Sequence, residues 1–137
     1  MLDGDQPLFL QIAEQVEDSI VDGSLAEGER APSSNELSAF YRINPATAAK
    51  GLGLLVERGV LHKRRGLGMF VSPGAREELR GKRRTALVER FIDPLLAEAR
   101  RLDLGGEDVT RLVRERTEAA AREPAASIPH RIPEESS

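Results

Sequence analysis

Residues 41–60 read YRINPATAAKGLGLLVERGV. Asn44 is a strong helix N-cap, because its side-chain oxygen can accept from an otherwise unpaired backbone N–H. Pro45 suits the first helical position, where a missing N–H costs nothing. Ala48, Leu52, Leu55 and Val56 then recur at helical spacing and make a buried side. Gly59 stops the helix. The opposite side begins with Asn44, Ala46, Thr47 and Lys50, which are small or polar. Gly51 and Gly53 each cost about 1 kcal/mol relative to alanine. Close packing against another helix accounts for both better than a hinge does.

The flanking segments supply that other helix. Pro7 to Val21 predicts an amphipathic helix with Pro7 at its first position. Its buried ladder is Leu8, Ile12, Val16 and Ile20, with Phe9 and Ala13 beside it. Gly23 follows as a left-handed stop. Leu25 anchors the next loop, and Glu29 to Ala31 pair as a short strand that Pro32 ends. Ser33 and Glu36 match a capping box, so a short helix runs through Leu37 and Phe40.

Downstream, the stretch HKRRGLGMFV, His62 to Val71, sets cations against two glycines. A Walker loop needs G-x-x-x-x-G-K-[ST] ahead of a helix, and a dinucleotide loop needs G-x-G-x-x-G in a βαβ unit. Neither pattern is present, and an apolar run follows. The segment reads instead as two short strands, Val60 to Lys63 and Met69 to Ser72, joined by a tip at Arg64 to Gly68.

Composition narrows the function. The 137 residues include no cysteine, so disulfides and thiolate metal sites are excluded. The two histidines, His62 and His130, lack ligand spacing. No metal or cofactor is expected. No apolar run approaches the ~18–20 residues of a membrane helix, and the N-terminus is acidic where a signal peptide would be basic. A soluble cytoplasmic protein without a membrane partner is expected. The net charge of −3 hides an uneven distribution. Residues 1–41 carry nine acids against one base, Arg30, while residues 42–74 carry six bases against one acid, Glu57. A basic surface for a polyanion follows from that contrast.

From Ala75 the chain is helical, with Leu87, Phe91, Leu95 and Leu102 on one side and Val88, Ile92, Leu96 and Ala99 adjacent. Pro94 should kink or divide this helix. Gly105-Gly106 breaks the chain, and a last helix shows Val109, Leu112, Val113 and Arg116 on one face. Two helices cannot cover such a stripe alone. A second copy, related by two-fold symmetry, is the simplest cover. The expected dimer interface is therefore Leu87, Phe91, Leu95, Leu102, Val109, Leu112 and Val113. After Glu123, prolines and polar residues predict a disordered tail.

Helix, helix, tight turn, helix and basic hairpin is the layout of a winged helix-turn-helix. A helix beginning with small and polar side chains can enter the major groove, which is about 12 Å wide. The sequences PLFLQIAEQVEDSIVDGSLAEGERAPSSNEL, INPATAAKGLGLLVERGV and RRGLGMFV resemble the winged domain of GntR-family bacterial transcription regulators. The helical extension is similar to that of the YtrA subfamily, which uses it for dimerisation. The fold class implied is mainly α with a small β-hairpin. Residues 1–73 would form the DNA-binding domain, 74–123 a helical dimerisation extension and 124–137 the tail.

The resemblance implies a homodimeric, sequence-specific regulator, a repressor more than an activator, on a double-stranded DNA operator. Its candidate contacts are Ser33, Ser34 and Asn35, then Asn44, Ala46, Thr47 and Lys50, then Lys63, Arg64, Arg65 and Gly66. The family usually reads Leu-Pro-Ser-x-Arg before the second helix. This chain has Ala31-Pro32-Ser33-Ser34-Asn35, which removes a bidentate guanidinium. An unidentified small-molecule effector is compatible with the layout, though no convergent polar groups mark a pocket. The alternative reading is a winged-helix module for protein–protein contact without operator readout.

Overall fold

In the computed structural model, which describes residues 6–123, the element order is helix, helix, helix, hairpin and then further helices. The disorder expected over residues 124–137 lies outside the described residues. The chain divides into two compact units that part between Arg80 and Gly81, beyond the 73/74 boundary read from the sequence.

In the first unit, α1 (Leu8–Asp22) lies against α3 (Pro45–Glu57), and α2 (Ser34–Tyr41) packs on α3. Ile12, Ile20, Leu37, Leu52, Leu55, Leu61 and Val71 are the largest fully buried side chains. The expected α1 ladder needs one correction. Leu8 is exposed, because it begins the helix beyond the edge of the core. Pro7 is also one place outside its expected position. It is the N-cap, and its carbonyl accepts from Leu10 and Gln11.

A tight turn joins α2 to α3. Arg42 is left-handed at φ 57, and the Ser38 hydroxyl donates to the Ile43 carbonyl at 2.6 Å. Strands β1 (Leu61–Arg64) and β2 (Gly68–Val71) pair antiparallel, with Leu61 opposite Val71 and Arg64 opposite Gly68. The short strand expected at Glu29 to Ala31 joins their edge through a single bridge, Arg30 to Phe70. Ala31 N–H donates to the Met69 carbonyl at 2.8 Å, and Val71 N–H donates to that of Glu29 at 2.9 Å. Helix α4 (Ala75–Leu87) begins inside this unit, with Ala75 and Leu79 buried in its core.

In the second unit, a π-helical segment (Val88–Ile92) precedes α5 (Asp93–Arg101), and α6 (Gly106–Arg122) packs on α5. The division expected at Pro94 takes this form because proline has no N–H to give back to the preceding turn. Asp93 N–H donates to the Val88 carbonyl, a five-residue step. Among the expected interface residues, Leu87, Phe91, Leu95, Leu102, Leu112 and Val113 are exposed. Val109 is not. It is buried, as Ala99 of α5 is, so it serves the unit's own packing.

The two glycines of α3 behave differently. A Cβ on Gly51 would stand 2.8 Å from the Phe9 carbonyl oxygen and 3.0 Å from Ile12 Cγ2. Close helix packing therefore explains Gly51. A Cβ on Gly53 would meet nothing within 4 Å, so packing does not explain it. Gly51→Ala is expected to lower stability by about 1–3 kcal/mol through overpacking. Gly53→Ala is expected to raise it by up to about 1 kcal/mol through helix propensity. Thermal or denaturant unfolding of the two variants checks both signs.

Candidate nucleic-acid interface

The predicted contact residues sit at two helix starts and one hairpin. At the start of α2, the Ser33 hydroxyl oxygen accepts from Glu36 N–H at 3.1 Å, and Glu36 Oε1 accepts from Ser33 N–H at 2.8 Å. This is the expected capping box. It commits the Ser33 oxygen to the fold. Ser34 is half-buried, and Asn35 is exposed and uncharged.

At the start of α3, Asn44 Oδ1 accepts from Ala46 N–H at 2.8 Å. The cap takes the acceptor, so the group the amide offers outward is its Nδ2 donor. Ala46 is exposed and small, which lets a partner approach the backbone, and Thr47 is half-buried. One turn on, Lys50 Nζ rests 4.1 Å from the centroid of the Phe9 ring. Such a cation–π contact is worth about 0.5–1 kcal/mol at an exposed site and restricts a long, mobile side chain.

In the hairpin, alternate residues leave by opposite faces. Lys63 is opposite Met69, which packs against the core. Arg64 lies on the other face, with its guanidinium carbon 4.3 Å from the Phe70 centroid. Arg65, Gly66 and Leu67 form the exposed tip, closed by Leu67 N–H donating to the Arg64 carbonyl at 2.9 Å. Gly66 and Gly68 take φ values of +76° and +118°, which side chains rarely adopt. The glycines are therefore the means of turning the chain within three residues. Leu67 is 63% exposed at the apex.

Not every base of residues 42–74 belongs to this surface. Arg58, at the far end of α3, pairs with Glu17 of α1 at 3.6 Å. Four residues were not expected from sequence. Phe9 and Phe70 seat Lys50 and Arg64, and Leu67 caps the wing. Arg30 reaches from the wing to α2, with Nη1 3.9 Å from Glu36 Oε1. Only Arg30 carried a signal, as the lone base in an acidic stretch. Among the described residues, no group of three or more His, Asp or Glu side chains could hold a metal.

The model for bacterial regulatory proteins of the gntR family matches residues 8–71. The uncharacterized HTH-type transcriptional regulator YhcF of Bacillus subtilis is 30% identical over 89 residues, covering 64% of this chain and 74% of that one. The chain belongs to the gntR family. It is a DNA-binding transcription regulator of that family and not an enzyme. The HTH-type transcriptional repressor YtrA of Bacillus subtilis is 28% identical over 85 residues, covering 62% of this chain and 65% of YtrA. The chain thus spans just under two thirds of YtrA's length. A GntR family transcriptional regulator from Listeria monocytogenes superposes with a TM-score of 0.71 at 25% identity, covering 83% of this chain and 98% of that one. The winged helix-turn-helix with its helical extension is therefore a fold that this chain shares with that regulator.

The cap that starts α2 carries a pH signature. The Glu36 carboxyl is held below its ordinary range, first by accepting from the Ser33 backbone N–H, with the Arg30 charge adding a smaller pull in the same direction. A depressed folded-state pKa contributes stability that is present above the unfolded carboxylate's range and lost as pH falls through the folded value. Below about pH 4, the thermal midpoint of Glu36→Gln should fall less steeply with acid than that of the unaltered protein. Ser33→Ala should cost about 1 kcal/mol near neutral pH, measured by denaturant titration.

Proposed function

We propose that the protein is a homodimeric repressor whose protomers each read one half of an inverted-repeat operator. The observation that carries this reading is the pairing of an open α3 start with seated cations. Asn44 and Ala46 leave room for a base edge, Lys50 sits one turn along, and Lys63, Arg64 and Arg65 follow on the wing. Asn44 Nδ2 and the Thr47 hydroxyl are the groups for base edges, and Lys50 is a point charge for a phosphate. Arg64 and Arg65 follow the backbone or enter the minor groove beside the recognition helix. Half-site centres would lie about 34 Å apart or a multiple of that.

Dimerisation is supported by the exposed apolar side chains of the second unit. Leu87, Phe91, Leu95, Leu102, Leu112 and Val113 are each two fifths exposed or more. Large apolar stripes of this kind are covered in stable soluble proteins. The repressor assignment follows the name of the relative YtrA. A chromosomal operator places the site of action in the cytoplasm.

Selection of duplexes from a randomised library, followed by mobility-shift titration, tests the reading. An enriched inverted repeat is expected, with affinity falling steeply as salt rises, by a slope of about 0.9 per phosphate neutralised. Lys50→Ala and Arg65→Ala should each weaken binding and reduce that slope by about one phosphate, with the melting temperature unchanged in Arg65→Ala and lowered by no more than a few degrees in Lys50→Ala, which loses the Phe9 contact. No enrichment, or binding that ignores salt, would favour a protein–protein module instead. Phe91→Asp combined with Leu95→Asp should convert a dimer to a monomer in sedimentation. A dimer that survives both changes would locate the interface elsewhere.

A further inference from the structure

Arg30 is the single base among residues 1–41, and it stands among nine acids. Its place in the fold is specific. The backbone bridges Phe70 of β2. Its Nε lies 3.0 Å from where a Cβ on Gly68 would stand, so the side chain crosses the wing at a residue without one. Its Nη1 reaches to 3.9 Å from Glu36 in the first turn of α2. One side chain thus spans the root of the wing tip and the start of α2. These are two of the three segments that the proposed function puts on DNA.

The acids around Arg30 do not consume its charge. Glu36 Oε1 already accepts from Ser33 N–H at 2.8 Å. Glu29 Oε1 accepts from Ala26 N–H at 2.7 Å, and Glu27 Oε1 accepts from Gly74 N–H at 2.9 Å. The Arg30–Glu36 pair is too long for a hydrogen bond, and both side chains are about half exposed, at 51% and 56%. A pair of that kind neutralises little and is readily exchanged. The guanidinium keeps a fork of N–H donors that matches a phosphate. Asn35, exposed and directly before Glu36 in the first turn of α2, brings no charge of its own.

We infer that Arg30 is a DNA-backbone contact, its guanidinium taking a phosphate at the junction of α2 and the wing and supplying there the charge that Asn35 lacks. The inference rests on the DNA-binding reading above and adds a residue to it. Arg30 carries no base readout, so its contribution is uniform across sequences.

The test uses the full-length protein, the duplex that it selects from the randomised library, and a random-sequence duplex, each titrated over a salt series. Arg30→Gln should weaken both complexes by roughly tenfold at low salt and lower the salt slope by about one phosphate contact. Arg30→Lys should keep the slope. Asn35→Arg placed in the Arg30→Gln background should restore it. Wild-type affinity and slope in Arg30→Gln would overturn the assignment. So would weaker binding at an unchanged slope, which would make Arg30 a support for the wing. If the wild type binds neither duplex, this inference and the DNA-binding reading fall together. If Lys50→Ala weakens binding and Arg30→Gln does not, only the Arg30 contact falls.

Discussion

The close approach of α1 to α3 at the backbone of Gly51 sets the geometry of the winged unit. The Phe9 carbonyl occupies space that any side chain at position 51 would need. That proximity seats Ile12 against α3 and closes the core around Leu52 and Leu55. It also puts the Phe9 ring beside the next residue back, Lys50. One steric constraint therefore fixes both the buried side of the helix and the position of a cation on its exposed side. The hairpin depends on the same helix. Val60 N–H donates to the Leu55 carbonyl and Ser72 N–H to that of Val60, both at 2.9 Å, so the wing grows directly from the end of α3.

The polar residues at the helix starts serve the fold first. Ser33 and Asn44 spend their side-chain oxygens on caps. What they leave for a partner is donors, which suits an anionic polymer with acceptor-rich base edges. The cations are held differently. Lys50 and Arg64 lie on aromatic rings, not on carboxylates. A ring restricts the side chain without neutralising it, so the charge is ordered in advance yet remains available. Arg58, paired with Glu17, has had its charge answered within the fold.

The backbone architecture was legible because its signals are local. Asn44-Pro45, the Ser33–Glu36 box and the Gly66/Gly68 turn each dictate a conformation within a few residues, and all three formed where expected. The element order and family followed from their spacing. The misses have a common cause, which is that they depend on what lies across a gap. Nothing near Gly53 distinguishes it from Gly51, and only the position of α1 does so. Leu8 fits the apolar ladder of α1 but lies past the end of what α1 packs on. Val109 fits the outer stripe by spacing but is buried where the other residues of that stripe are exposed. The aromatic seats of Lys50 and Arg64 join residues distant in sequence or across strands, where periodicity carries no information.

The π-helical segment before Pro94 has an effect on rotation as well as on hydrogen bonding. Leu87, Phe91 and Leu95 are spaced by four, as are Val88, Ile92 and Leu96. On a regular helix, at about 100° per residue, rows spaced by four drift by about 40° at each step and wind around the cylinder. The wider turn at Val88–Ile92 takes up roughly one residue of that winding. The two rows then run nearly parallel to the helix axis. A parallel row presents a straight seam, which another straight helix can meet along its length without coiling around it. The proline thus acts as a phase corrector, turning a spiral of apolar side chains into a flat, ruled edge.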